Sequence, residues 1–472
     1  MKPLTWRAAM VILLIALLLI SALCCLAAEN PDPLRDIVIT REERVLGLTT
    51  VYASVKQHFA YFHQLPKLDW DKTFMEFLPQ VEKKQSLYDY YRVLQRFVAL
   101  LEDGHTNVYF PPSVQKALDR LPIRLDVLEG KWVVADRVPT VEVLKEDIPP
   151  GSILESIEGK SPDKYFPDKF YPFIAAGREQ AKREALAWQA TYPKNAKVKV
   201  VLRYPDGSSH ERVLIADRST IKWTDDLHAQ YTPPWRYGPG FSSGEPEPGI
   251  LYIAFRSCDI ESEAKIVELL ESRSSNPPGG VILDLRGNQG GGTPTNLVRH
   301  LISKPIKWYD ASSRWSLSYM DAQVKFGGPD AASEWLKQRE FPEAFSPGWY
   351  QLSGEDTTAP ADTHYDGPLA ILTSPATGSA AEDLVVLLQQ AGRGKVMGDR
   401  TNGSTGQPFF FDLPGGGNGR VCTVRTRYAD GREFIDVGCE PDMIVTPTIK
   451  GITEGRDEVL DAALAYIRMA GG

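Results

Sequence analysis

Residues 280–292 read GVILDLRGNQGGG, from Gly280 through Asp284, Arg286 and Asn288 to Gly290, Gly291 and Gly292. An unbroken apolar run enters a polar, glycine-rich turn, as a buried strand does when it ends in a loop. Glycines free backbone N–H groups to face an anion. The order lacks the Gly-Lys-Ser/Thr of a phosphate loop and the spacing of a dinucleotide turn, so an oxyanion site fits better. A plain tight turn would look the same. Strand and helix patterns alternate around this stretch. Strands are expected at Ile250–Phe255, Gly280–Leu285, Leu369–Thr373 and Lys395–Met397, and helices at Ser262–Ser272, from Thr295 to Leu301, and at Ala380–Gln390. That alternation predicts an α/β unit over residues 217–472. Residues 304–365 hold few periodic signals and read as an insertion or lid.

Upstream, two other patterns appear. Residues 36–116 read as a helical domain, with helices at Arg41–Lys56, Asp71–Val81 and Leu87–Glu102. Asp69 or Asp71 and Ser86 are the expected N-caps, and Gly104 the expected stop. Residues 119–216 read as a β module with strands at Ile123–Val127, Lys131–Ala135 and Lys197–Tyr204, and a turn at Pro205-Asp206-Gly207.

The chain has 472 residues, 43% of them hydrophobic, and a net charge of -8. No basic stripe is visible, so no nucleic acid is expected as partner. Residues 1–28 read as a secretory signal peptide: Lys2 and Arg7, then an apolar run, then small residues ending at Ala27 and Ala28. The same run is long enough for an uncleaved membrane anchor. Export, to a periplasmic or extracellular space, is the expectation. Cys258, Cys422 and Cys439 remain after cleavage. A Cys422–Cys439 disulfide and three buried free thiols are the two readings. No zinc spacing occurs, and no metal or cofactor is expected.

Four segments complete the candidate site. In Thr377-Gly378-Ser379-Ala380-Ala381-Glu382, a strand ends and Ser379 stands where a helix begins. The helix N-terminus favours negative charge, and the Ala380 N–H can face an oxyanion. A plain capping box with Glu382 is the other reading. His105, in Glu102-Asp103-Gly104-His105-Thr106, is the best-placed general base among seven histidines. His58 and His63 sit among aromatics and read as structural. Gly398 to Gln407 reads as a substrate-lining loop containing Thr401, Gly403 and Ser404. Asp436 and Glu433 are candidates for the acid that orients the histidine; exposed strand acids would look alike.

In this order the segments resemble the C-terminal processing (tail-specific) serine peptidases, on the tricorn-like branch that lacks the dyad lysine. The resemblance rests on Asp284-Leu-Arg286-Gly-Asn288-Gln-Gly290-Gly291, Ser379-Ala-Ala-Glu382, Gly392-Arg393, Gly398-x-x-Thr401-x-Gly403, Gly438-x-x-Pro441-Asp442 and Asp103-Gly-His105-Thr106. It implies a crotonase/Clp-protease-like β-α catalytic domain, an N-terminal helical bundle and a PDZ-like β module. It also implies a polypeptide substrate and a Ser379 nucleophile. Gly290 or Gly291 would join Ala380 in the oxyanion hole. Many such enzymes carry a lysine after the last Gly of the Thr-x-Gly loop; here that residue is Ser404, and Lys395 on the preceding strand is a poor substitute. The base then falls to His105, with Asp436, then Glu433, as its orienting acid. Tricorn-like members have Ser before that histidine; here it is Gly104. A non-catalytic binding protein on the same fold and an esterase-like hydrolase are the rival readings.

Overall fold

The computed structural model describes residue 32 and residues 34–137, 148–220, 240–314, 349–353 and 357–471. The expected signal peptide lies outside them, as does residue range 315–348 of the expected lid. Among the described residues, no helix is long and apolar enough to cross a membrane.

A six-stranded sheet organises the catalytic half. Its order is Met443–Ile444, Lys395–Gly398, Leu369–Thr373, Gly280–Asp284, Ile250–Phe255, Phe241–Glu247. All neighbours are parallel except the last pair. Three of the four inner strands, Leu369–Thr373, Gly280–Asp284 and Ile250–Phe255, are buried at every position, which is why they read as continuous apolar runs. Alternate residues serve opposite cores. Tyr252, Ile282 and Leu372 pack on the helix Glu458–Gly471. Leu251, Leu283 and Ile371 pack against the helix Ala380–Gln390 and the N-terminal helices.

The loops after Asp284, Thr373 and Gly398 leave the same carboxyl edge of this parallel sheet, where α/β sheets place their sites. Three loops, the first and last more than a hundred residues apart in sequence, thus meet.

The N-terminal helices are Arg41–His58, Trp70–Glu82 and Leu87–Ala99. Thr40 with Glu43, Asp69 and Ser86 cap them. Their buried faces belong to the same hydrophobic cluster as the sheet. The third helix stops at Ala99 with Leu100 as C-cap, short of the expected Glu102 and Gly104. The left-handed turn falls on Glu102, at φ 53°; Gly104 is a glycine for another reason, given below. The strand Asn107–Tyr109 then pairs antiparallel with Gly417–Cys422.

Residues 123–215 contain a five-stranded antiparallel sheet in the order Ile123–Leu128, Lys131–Arg137, Ile153–Ile157, Lys197–Arg203, Ser209–Ile215. The sheet and the helices Pro162–Lys169 and Glu179–Gln189 share a hydrophobic core of their own.

The structure bears on two further readings. The described parts of 304–365 include four short strands, of which Asp310–Arg314 pairs with Val424–Arg427, so this end is tied into the fold. Cys258, Cys422 and Cys439 are each buried and free, so there is no Cys422–Cys439 disulfide. Cys422 closes a strand whereas Cys439 is held under the 401 loop, its N–H on Thr401 Oγ1 at 2.6 Å.

Candidate active site

Ser379 sits between the strand Leu369–Thr373 and the helix Ala380–Gln390, with φ 57° and ψ -133°. A non-glycine residue in this region costs ~1–3 kcal/mol and persists only when its surroundings hold it. They do so here. Gly378 N–H donates to Asn288 O at 2.9 Å, and Ser379 N–H to Ser404 O at 2.8 Å. Glu382 Oε2 lies 3.2 Å from the same Ser379 N–H. Ser379 is therefore the N-cap of its helix, as the plainer reading had it. Its Oγ also lies 3.0 Å from Nε2 of His105.

His105 is 7% exposed. Burial, with Arg420 adding to it, holds the imidazole well below its ordinary pKa, so it is neutral. Nδ1 lies 2.6 Å from Ser404 Oγ. The tautomer that offers Ser379 a lone pair carries its proton on Nδ1 and donates it to Ser404. An Asp103-based turn sets the ring: Asp103 accepts from the His105 N–H at 3.2 Å and from Thr106 Oγ1 at 2.6 Å. Arg420 donates to Gly104 O at 2.9 Å. A Cβ on Gly104 would come within 2.7 Å of Ser404 Oγ, so glycine there makes room for the hydroxyl against the ring.

Neither expected acid reaches that nitrogen. Glu433 pairs with Arg425. Asp436 has its carboxylate against Gly177 and feels the charge of Arg178. Its contribution to the 401 loop is its backbone N–H, donated to Gly403 O at 2.7 Å. Lys395 lies 3.8 Å from Asp442 in an ion pair, away from Ser379's partners.

Gly290 has φ 95°, and a Cβ there would fall 2.5 Å from Ser379 Cβ. Only glycine lets this loop meet the serine so closely. Gly290's own N–H is taken by Asn288 Oδ1 at 2.8 Å. That moves the expected oxyanion donor to Gly291, whose N–H, like that of Ala380, meets no protein acceptor among the described residues.

Thr401, Gly403 and Ser404 are buried rather than lining a substrate channel. They hold the site from behind, through a residue that the sequence offered only as a capping-box acid. The fully buried Glu382 accepts from Thr401 Oγ1 at 2.5 Å, Gly403 N–H at 2.7 Å and Ser404 N–H at 2.9 Å. Burial pushes its pKa up to about 7 against the pull of those donors. Asn288, also missed, bonds Phe255 O at 2.9 Å besides Gly290. The glycine-rich turn signalled its loop but not its wiring. Among the described residues, no group of three or more His, Cys, Asp or Glu side chains is placed to hold a metal.

Residues 249–445 match the model of Peptidase family S41. The chain carries an S41 peptidase domain. The chain is 23% identical over 366 residues to a carboxyl-terminal-processing protease of Picosynechococcus, covering 75% of this chain and 72% of that one. It is 25% identical over 202 residues to carboxyl-terminal-processing peptidase 2, chloroplastic, of Arabidopsis thaliana, covering 42% and 32%. The fold is that of mature CPAF, with a TM-score of 0.70 at 15% identity, covering 92% of this chain and 99% of that one. The S41 domain is a serine peptidase domain acting on polypeptides, in preference to the carrier and esterase readings.

Proposed function

We propose that the S41 domain cleaves polypeptides through an acyl-enzyme on Ser379, with His105 as general base and no lysine. The observation that carries this is the 3.0 Å approach of His105 Nε2 to Ser379 Oγ. The imidazole takes the Ser379 proton as Oγ attacks the carbonyl. The Ala380 and Gly291 N–H groups hold the oxyanion, a donor of this kind being worth ~3 kcal/mol of barrier. His105 then passes its proton to the leaving amine, and water releases the acyl group. Ser404 Oγ accepts from Nδ1–H both in the neutral ring that offers Nε2 to Ser379 and in the imidazolium that forms.

Residues 119–216 would serve as a PDZ-like module that takes an extended substrate segment by strand addition, residues 36–116 as the helical domain that delivers His105, and residues 217–472 as the catalytic domain. The positive start and apolar run of residues 1–28 support a signal peptide that directs export and is then cleaved, with an uncleaved signal anchor as the alternative. A fluorophosphonate probe tests the centre. It should label the wild type and neither Ser379→Ala nor His105→Ala; a folded wild type that stays unlabelled sinks the mechanism.

A further inference from the structure

Glu382 is followed by a second buried acid, Asp383, 6% exposed. It stands in the first turn of the helix Ala380–Gln390, and its N–H donates to Ser379 O at 3.1 Å. Its two carboxylate oxygens serve two different loops. Oδ2 accepts from Thr293 Oγ1 at 2.8 Å, and Oδ1 from Thr405 Oγ1 at 3.0 Å. Tyr309 OH lies 3.4 Å from Thr293 Oγ1 and also bonds the carboxylate. Burial pushes the acid up to about 6, so it is ionised above neutral pH and accepts from both threonines.

Each threonine neighbours one half of the catalytic apparatus. Thr293 lies two residues past Gly291, the oxyanion donor proposed above. Cys258 pins that loop from one edge: its N–H donates to Gly290 O at 3.0 Å, and its O accepts from Gly292 N–H at 2.8 Å. Across trans peptides these two bonds turn the Gly291 N–H away from Cys258. They fix its direction, and Thr293 ties the far end of the loop. Thr405 follows Ser404, whose Oγ lies 2.6 Å from His105 Nδ1. Glu382 uses its oxygens on Thr401, Gly403, Ser404 and Ser379. Asp383 joins the base-holding loop to the oxyanion loop.

We propose that Asp383 is a positioning residue that holds the Gly291 oxyanion donor and the Ser404–His105 pair at a fixed separation, through Thr293 and Thr405. The inference rests on the peptidase reading above. One helix turn then carries the nucleophile Ser379, the donor Ala380 and the acid that ties down the other donor and the base's partner. Attack needs base and donors in register together, to within ~0.5 Å. The donors meet full negative charge only in the transition state, so a loosened loop costs turnover and leaves ground-state binding alone. An amide at position 383 accepts through one oxygen only, so it keeps one of the two ties.

The test uses the full chain at pH 8, one peptide substrate, and the peptide aldehyde of its acyl side, whose hemiacetal oxygen needs the same donors. Thr293→Val should lower kcat about tenfold and weaken the aldehyde by a similar factor, with KM unchanged. Thr405→Val should lower kcat to a similar extent. Asp383→Ala should lose about 10- to 100-fold in kcat and Asp383→Asn less, a partial rescue by the isosteric side chain. Adding Thr293→Val to Asp383→Ala should cost nothing further, because that tie is already gone. If Asp383→Ala does not fold, Asp383→Asn with Thr293→Val makes the same comparison. Variants that melt earlier but keep wild-type kcat per folded molecule overturn the proposal, as do losses confined to KM. Both results require a wild type that the fluorophosphonate labels; one that neither labels nor cleaves overturns the peptidase reading beneath it.

Discussion

At His105 a hydroxyl stands where a triad would have a carboxylate. Ser404 Oγ accepts from Nδ1 at 2.6 Å without adding charge, and a neutral acceptor gives a weaker bond than an ionised one. That agrees with a ring kept neutral by burial and by Arg420. Ser404→Ala would leave a buried N–H unpaired, at a cost of ~1–3 kcal/mol. The expected outcome is a fall in kcat/KM of roughly 10- to 100-fold, smaller than the loss in His105→Ala. Steady-state cleavage of one peptide by both variants checks this; equal losses would show that the base is not working through Ser404. Sequence pointed to His105 because few of the seven histidines had small, polar neighbours, and to Ser379 because it stood where a strand ends and a helix begins. It could not name the Nδ1 partner, since Ser404 lies 299 residues from His105.

Among the elements, the helix Arg41–His58 ends on a buried histidine whose ring packs tilted against Phe409, with ring centroids 5.0 Å apart. Burial, and then the charge of Arg314, lowers the His58 pKa to about 4. The folded pKa lies below the unfolded value of 6.5, so the unfolded chain binds this proton first as pH falls. The His58 contribution is complete above about 6.5 and is lost as pH drops toward about 4. Buried acids act in the opposite sense: Glu382, raised to about 7, and Asp383 and Asp103, each raised to about 6, lose stability as pH rises. Those acids are common to wild type and His58→Phe, so the difference isolates the histidine. Melting temperatures from pH 7 to pH 4 should fall less steeply in His58→Phe; parallel curves would refute the assignment. Sequence placed His58 among aromatics, and its structural setting follows from that. It did not foresee that the helix Leu87–Ala99 ends early, because Glu102 takes the turn expected of Gly104.

Across the whole molecule, the three described thiols are sealed in different parts of one core cluster. Burial pushes Cys258 up to about 12 and raises Cys422 and Cys439 as well, so none supplies thiolate near neutrality. A thiol reagent at pH 8 should leave residues 258, 422 and 439 unmodified in the folded protein and modify all three once it is unfolded in denaturant. Peptide mass mapping reads this, and a Cys422–Cys439 peptide under non-reducing conditions would contradict it. Burial of the N-terminal helices in the same cluster as the sheet also makes delivery of His105 a property of the entire fold.

By itself the sequence determined the α/β core, since strands buried on both faces must be written as unbroken apolar runs, and helix ends announce themselves through Asp69 and Ser86. It also determined that Ser379 and Gly290 stand at element ends, where backbone N–H groups are left over. Only the tertiary structure decided what those groups do. It brought His105 across 274 residues to Ser379, gave the Gly290 N–H to Asn288 and left Gly291's open. It set Ser404 at Nδ1 in place of Asp436 or Glu433. Hydrogen bonds reach only ~3 Å, and which distant groups come within that reach is settled by how the sheet, the loops on its carboxyl edge and the N-terminal helices close on one another.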